Sequence, residues 1–284
     1  MKWILCAALA VAGAAPALAQ DGAAPPSLIP GLHRPLDELL DLYVRDGFVY
    51  YNALKSDRGK LDQYIRGLDS PAAAAQANGT REEKIAFWVN AYNALVLQTI
   101  VNHFPIRGRA KEYPATSIRQ IPGAFERQTF RVAGRSVTLD QIEKEILAPL
   151  GEPRAFLALG RGAVGGGRLR SEAFDPKRLD AQLEQVAAES LARREIIHLD
   201  LMNNQIAVTP VFSWRQAEFV AAFENKAPDV FKQRSPIERA VIGLIRPYLK
   251  PSEVIDLEKN AFRITFHEFD WRLNDLSNRP PDGP

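Results

Sequence analysis

The chain has 284 residues, with 36 basic against 34 acidic side chains, a formal charge of +2 and a hydrophobic fraction of 46%. That is a globular composition, and near-neutrality without a sustained basic stripe gives no electrostatic case for nucleic acid. The four histidines, His33, His103, His198 and His267, are scattered without metal-ligand spacing, and the single cysteine is Cys6.

Lys2, the apolar run "WILCAALAVAGAA" and the small-residue pattern "ALA" at 17–19 predict a secretory signal peptide over residues 1–19. It is too short and wrongly flanked for a transmembrane helix, and Cys6 lies too early to be a lipoprotein anchor. Cleavage removes Lys2 and no acid, so the formal charge falls from +2 to +1, and the only cysteine goes with it. The mature chain would then have no disulfide, no thiolate nucleophile and no cysteine ligand. The expected location is periplasmic or secreted, without a transmembrane anchor.

Residues 20–35 are rich in Pro, Gly and Ala and are expected to form a flexible leader. A helix is predicted from Leu36, with Gly47 as its stop, then a short strand "FVYY" at 48–51 and an amphipathic helix over 58–68. "DSPAAAAQANG" is a linker or a weak Ala-rich helix. The strongest helix starts at the capping box Thr80/Glu83 and stops before Pro105. It is apolar almost all round, which predicts a central, buried element, and Asn90 and Asn93 on one face of it would need hydrogen-bond partners. A hairpin over 129–139 turns near Gly134, and Thr138 and Gln141 cap a helix through Leu147. "RAFLAL" is a predicted buried strand and "DPKRLDAQLEQVAAESL" a helix. A second hairpin turns at Asn203–Asn204, helices follow near 213–223 and 236–246, then the strand "FRITFHEFDW" and a polar tail at 277–284. The expected fold is α+β, a single mixed domain over 36–276 with a central buried helix on a mostly antiparallel sheet.

"GRGAVGGGRLR", residues 160–170, fits GxGxxG over Gly160–Gly165. A dinucleotide loop needs its last glycine to open a helix, and here the next helix is predicted only near Asp175. No Lys-Ser or Lys-Thr follows, which excludes a P-loop, so no cofactor is expected. Arg161 and Arg168 could form a modest anion site beside glycine N–H groups, although loop arginines are usually just solvated. His103 at a helix end suits the helix dipole. His198 and Asp200 alternate along a strand and share a face, while Glu268 and Asp270 lie on the face opposite His267. Paired acids on an exposed sheet face are ordinary, and no GxSxG or SxxK motif supports a hydroxyl nucleophile.

Taken in order, "YVRDGFVYYNALKSD", "FWVNAYNALVLQTIVNHFP", "SIRQIPGAFERQTFRVAGRSVTLDQIEKEIL", "LRSEAFDPKRLDAQL", "FSWRQAEF" and "FDWRLND" resemble the bacterial domain of unknown function 547 family. The resemblance covers about residues 38–276, with Trp88, Asn90, Tyr92, Asn93 and Ala94 as its most specific cluster. It implies a fold related to papain-like or transglutaminase-like cysteine hydrolases. In that family a His stands before the glycine loop and two Cys stand within it, ahead of a Pro pair. Those positions fall here on Phe156, Arg161 and Gly166, with Gly167 and Arg168 in place of the prolines. A further His corresponds to Lys144, while Glu143 is kept. A thiolate–imidazole pair needs both partners, and neither is present. The expectation is therefore an exported, non-catalytic binding or scaffolding protein of the cell envelope, its ligand or protein partner unidentified. Its candidate cleft residues are Trp88, Asn90, Tyr92, Asn93, Glu143, Arg161, Arg168 and Asp270. The rivals are a non-cysteine hydrolase using Glu143, His198 or Asp270, and a nucleotide enzyme through Gly160–Gly165.

Overall fold

The computed structural model describes residues 31–279 except Leu201. A 3-10 turn, Gly31–His33, leads into α1 (Arg34–Tyr43), whose Leu36, Leu39 and Leu40 share one buried face at helical spacing. The helix thus begins before Leu36, and residues 31–35, expected within the flexible leader, are structured with His33 buried. α1 ends at Tyr43 rather than at Gly47. The chain reverses there in a small antiparallel hairpin, β1 (Val44–Arg45) and β2 (Phe48–Val49), and Gly47 supplies a left-handed φ of +84° for the turn. Next come α2 (Tyr51–Ser56), α3 (Gly59–Gly67) and α4 (Pro71–Ala77). The Ala-rich stretch is helical because the Ser70 hydroxyl accepts from the Ala73 N–H and Pro71 opens the first turn.

α5 (Arg81–His103) runs through the core, capped by the reciprocal Thr80/Glu83 box and buried almost continuously from Ile85 to Val101. The hairpin β3 (Phe130–Val132) and β4 (Arg135–Val137) precedes α6 (Leu139–Gln141), which continues as a π-helical segment, Ile142–Leu147. α5 packs against α2, α3 and α4 on one side and against this segment on another. "RAFLAL" is not a strand: α7 (Arg154–Leu157) is a short helix led by Pro153. After Arg154 the run 155–159 is buried at every position and has no period, so apolarity alone cannot separate helix from strand.

α8 (Leu179–Leu191) is followed by the antiparallel hairpin β5 (Ile197–Asp200) and β6 (Gln205–Val208), with Asn204 left-handed in its turn. Then come α9 (Val211–Trp214), α10 (Gln216–Phe223), α11 (Pro236–Ile245) and α12 (Pro251–Glu258), the last absent from the sequence reading. β7 (Arg263–Phe266) joins β6 in parallel, giving the order β5-β6-β7. The fold is α+β with antiparallel pairing in all three hairpins. The strand predicted through Trp271 stops at Phe266, so His267, Glu268 and Asp270 do not alternate on a sheet face.

Past β7 the chain runs back as a strap over residues 269–275. Gly165 N donates to Asp270 O at 2.9 Å, Val164 N to Arg272 O at 2.9 Å and Val49 N to Asn274 O at 2.9 Å. The strap therefore ties the glycine loop to the first hairpin. The predicted polar tail opens with a 3-10 turn, Leu276–Asn278, and Arg279 pairs with Asp46 at 2.8 Å. The expected signal peptide, the leader up to residue 30 and residues 280–284 lie outside the described residues. Among the described residues no helix is long and apolar enough to cross a membrane.

Candidate functional site

The glycine loop leaves the end of α7 and is held at both ends by α5. Asn93 donates through Nδ2 to Ala158 O at 3.1 Å and accepts from Gly160 N at 2.9 Å. One turn earlier, Asn90 donates to Phe174 O at 2.9 Å and accepts from Phe174 N at 2.8 Å. A carboxamide offers donor and acceptor side by side like a peptide, so each Asn substitutes for a neighbouring strand and satisfies its own burial. Within the loop, Gly166 N donates to Ala163 O at 3.0 Å and Gly167 N to Leu159 O at 3.0 Å, in addition to the two bonds to the strap. These amides are committed to protein acceptors, whereas a phosphate cradle needs them free. The glycines answer to packing instead. A Cβ on Gly167 would stand 1.9 Å from Leu157 O, and one on Gly166 would stand 2.1 Å from Gly160 O.

Arg161 departs most from expectation. It is 2% exposed rather than solvated, with a left-handed φ of +50° that turns its side chain into the core. Its Nη1 donates to Phe156 O at 3.1 Å and Leu159 O at 3.2 Å, and its Nη2 lies 2.9 Å from Glu143 Oε1. Arg215, at the junction of α9 and α10, brings Nε to within 3.2 Å of the same oxygen. Neither of these N–H groups is well aligned for a hydrogen bond, so the cluster is held mainly by charge. Burial pushes the Glu143 carboxyl up, but Arg161, then Arg215 and Lys144, outweigh it and hold the group below the usual carboxylate range. The Phe156 ring lies 5.3 Å from the Arg215 guanidinium, a cation–π contact closing the cluster. The buried Tyr92 hydroxyl has no hydrogen-bond partner there, and burial together with the Glu143 charge pushes its phenol up, so it stays neutral. Sequence reasoning missed Arg215; it lies inside "FSWRQAEF", and no local spacing links it to Glu143.

Arg161 and Arg168 therefore do not share an anion. Arg168 faces outward, pairing with Asp46 at 3.1 Å and Glu189 at 3.4 Å. Trp88, 1% exposed and edge-on to Phe87 at 5.1 Å, is a core residue, as are Asn90, Tyr92 and Asn93. The rival catalytic groups are each engaged separately. Glu143 is neutralised by arginines, His198 Nε2 lies 2.7 Å from Arg194 Nη2, and Asp270 accepts from Arg272 Nε at 3.0 Å. Burial raises the Asp270 carboxyl, and Arg272 outweighs it, keeping the group ionised. Among the described residues no group of three or more His, Cys, Asp or Glu could hold a metal ion.

The loop does border open space. A cleft of about 720 Å³ is lined by Val164 and Arg168 of the loop, Arg193 beyond α8, Arg272 and Leu273 of the strap, and Arg279. Of the predicted site residues only Arg168 lines it, with Asp270 next to it through Arg272. Arg193, Arg272 and Arg279 had no sequence signal, because they meet only when the strap folds back. Residues 76–191, from the end of α4 to the end of α8, match a family model described as "Protein of unknown function, DUF547". No curated protein and no solved structure matches the chain.

Proposed function

We propose that this member of the DUF547 family is an exported periplasmic or secreted protein that binds a ligand in the cleft beside its glycine loop and performs no cysteine chemistry. The observation that carries the reading is the Glu143–Arg161–Arg215 cluster. One of the two positions where the family resemblance implies a cysteine, Arg161, holds a buried guanidinium, the other is Gly166, and the one retained acid, Glu143, is ion-paired to Arg161. A carboxylate held ionised by two arginines is a poor proton acceptor, because protonating it would strand the buried Arg161 charge and leave Arg215 with Glu218 alone. The single cysteine falls within the expected signal peptide. A volume of about 720 Å³ lies within the range of roughly 300–1,000 Å³ typical of small-molecule sites.

The test has two parts. Cell fractionation with intact-mass analysis should find a mature chain beginning at Gln20 in the envelope or medium. The purified chain should not turn over a panel of esters, amides and glycosides faster than buffer. Turnover that disappears in Glu143→Gln would overturn the reading in favour of a hydrolase, and an intact chain still carrying Met1 would overturn export.

A further inference from the structure

The charges around the cleft are unevenly compensated. Asp46 is shared by Arg168 and Arg279, Glu189 by Arg168 and Arg170, and Asp270 takes Arg272. Arg193 is different: among the described residues no carboxylate lies within 4.0 Å of it. Its Nη1 donates to Gly166 O at 3.1 Å and its Nη2 to Val164 O at 2.6 Å, which fixes the guanidinium against the glycine loop. A guanidinium has about five N–H donors, so these two bonds leave others uncommitted. Burial disfavours its charge, and the more distant Glu195 only partly offsets this. A desolvated cation with spare donors on a cavity wall is a preorganised seat for an anion. The rest of the lining is mixed. Phe48, Val164, Ala192 and Leu273 are apolar, and the wall carries four arginines against the three carboxylates Asp46, Glu189 and Glu195.

We propose that the cleft binds an organic monoanion with an apolar body, its acid group on Arg193 and its body along Phe48, Val164 and Leu273. This rests on the reading that the cleft is the ligand site. A single negative charge matches Arg193, the one wall arginine without a carboxylate within 4.0 Å among the described residues, whereas a polyanion would also meet the three wall carboxylates. The apolar lining gives no purchase to a small inorganic anion.

Calorimetric titration of the full mature chain with octanoate and, separately, 1-octanol tests this, using wild type, Arg193→Gln and Ala192→Trp. Ala192 is exposed at the end of α8, so an indole there can narrow the cleft without entering the core. The expected result is octanoate binding at least tenfold tighter than octanol, weakened tenfold or more by Arg193→Gln and blocked by Ala192→Trp. Because Arg193 also pins the loop, Arg193→Lys serves as a second variant, keeping the charge and part of the affinity. Octanoate bound equally well by Arg193→Gln, or octanol bound as tightly as octanoate, with both blocked by Ala192→Trp, would overturn the anion site while leaving the cleft as the ligand site. Binding indifferent to Ala192→Trp, or no binding of either probe, would overturn both.

Discussion

Glu143 is one carboxylate between two guanidiniums, and that stoichiometry ranks the variants at the cluster. Removing one partner of a buried ion pair costs about 3–5 kcal/mol, because the remaining charge is left without compensation. Arg161→Gln leaves Glu143 with Arg215, so its loss should fall at the low end. Glu143→Gln leaves buried Arg161 without a carboxylate and Arg215 with only Glu218 at 3.6 Å, and should be the more destabilising of the two. Urea midpoints at neutral pH give the ranking, and the reverse order would show that Arg161 acts through its carbonyl bonds rather than its charge. His33 provides a second readout. Burial lowers its imidazole from 6.5 to about 4, against the hydrogen bond to Gln76 at 2.7 Å and the charge of Asp175. Between those values the unfolded chain takes up a proton that the folded chain refuses. The His33 contribution is therefore fully present above pH 6.5 and is lost as pH falls towards 4, by about 3 kcal/mol. Urea unfolding across this range should show that slope and His33→Gln should flatten it; an unchanged slope would place the proton uptake elsewhere.

At the scale of elements, local signals in the sequence were enough where a cap or a turn defines the boundary. The Thr80/Glu83 and Thr138/Gln141 boxes, the turn at Gly134 and the Asn203–Asn204 hairpin all appear where their chemistry places them. Signals failed where an element is short and buried, as for α7, or where a loop's purpose lies in what it touches. The glycine loop fits a phosphate motif by letters, yet its glycines exist because carbonyls of Leu157 and Gly160 press against them. That contact comes from the turn following α7, which the sequence suggested as a strand. Gly167→Ala tests this account: a methyl 1.9 Å from a backbone carbonyl cannot be accommodated without moving the loop. The expected outcome is a loss of more than about 3 kcal/mol, at the upper end of what single substitutions produce, or failure to accumulate folded protein. The control is Gly134→Ala, where nothing lies within 4 Å and only the left-handed φ of +79° is strained, so it should cost about 1 kcal/mol. Equal, small losses at the two positions would contradict the packing role.

At the scale of the molecule, the two ends of the described chain meet, and the residues that accomplish this had no pattern to betray them. Asn274 donates to Gly47 O at 2.8 Å and accepts from the Tyr51 hydroxyl at 2.7 Å, joining positions separated by 227 and 223 residues. The same strap holds the glycine loop and, through Arg272 and Leu273, one wall of the cleft. A single sequence shows "FDWRLND" as a run of mixed polarity, and only the fold reveals that its Asn is buried. Because first hairpin, loop and strap share these bonds, none of them has a separate core in which to fold alone. Unfolding should therefore be one cooperative step, with far-UV ellipticity, which follows the helices, coinciding with fluorescence from Trp88, Trp214 and Trp271. Asn274→Ala leaves a buried hydroxyl and a buried carbonyl unpaired, each at about 1–3 kcal/mol, so both curves should shift to lower urea together. If in that variant the fluorescence transition moved ahead while the ellipticity stayed in place, the strap would be a peripheral arm. The cleft it helps to wall would then be open to rearrangement independently of the core.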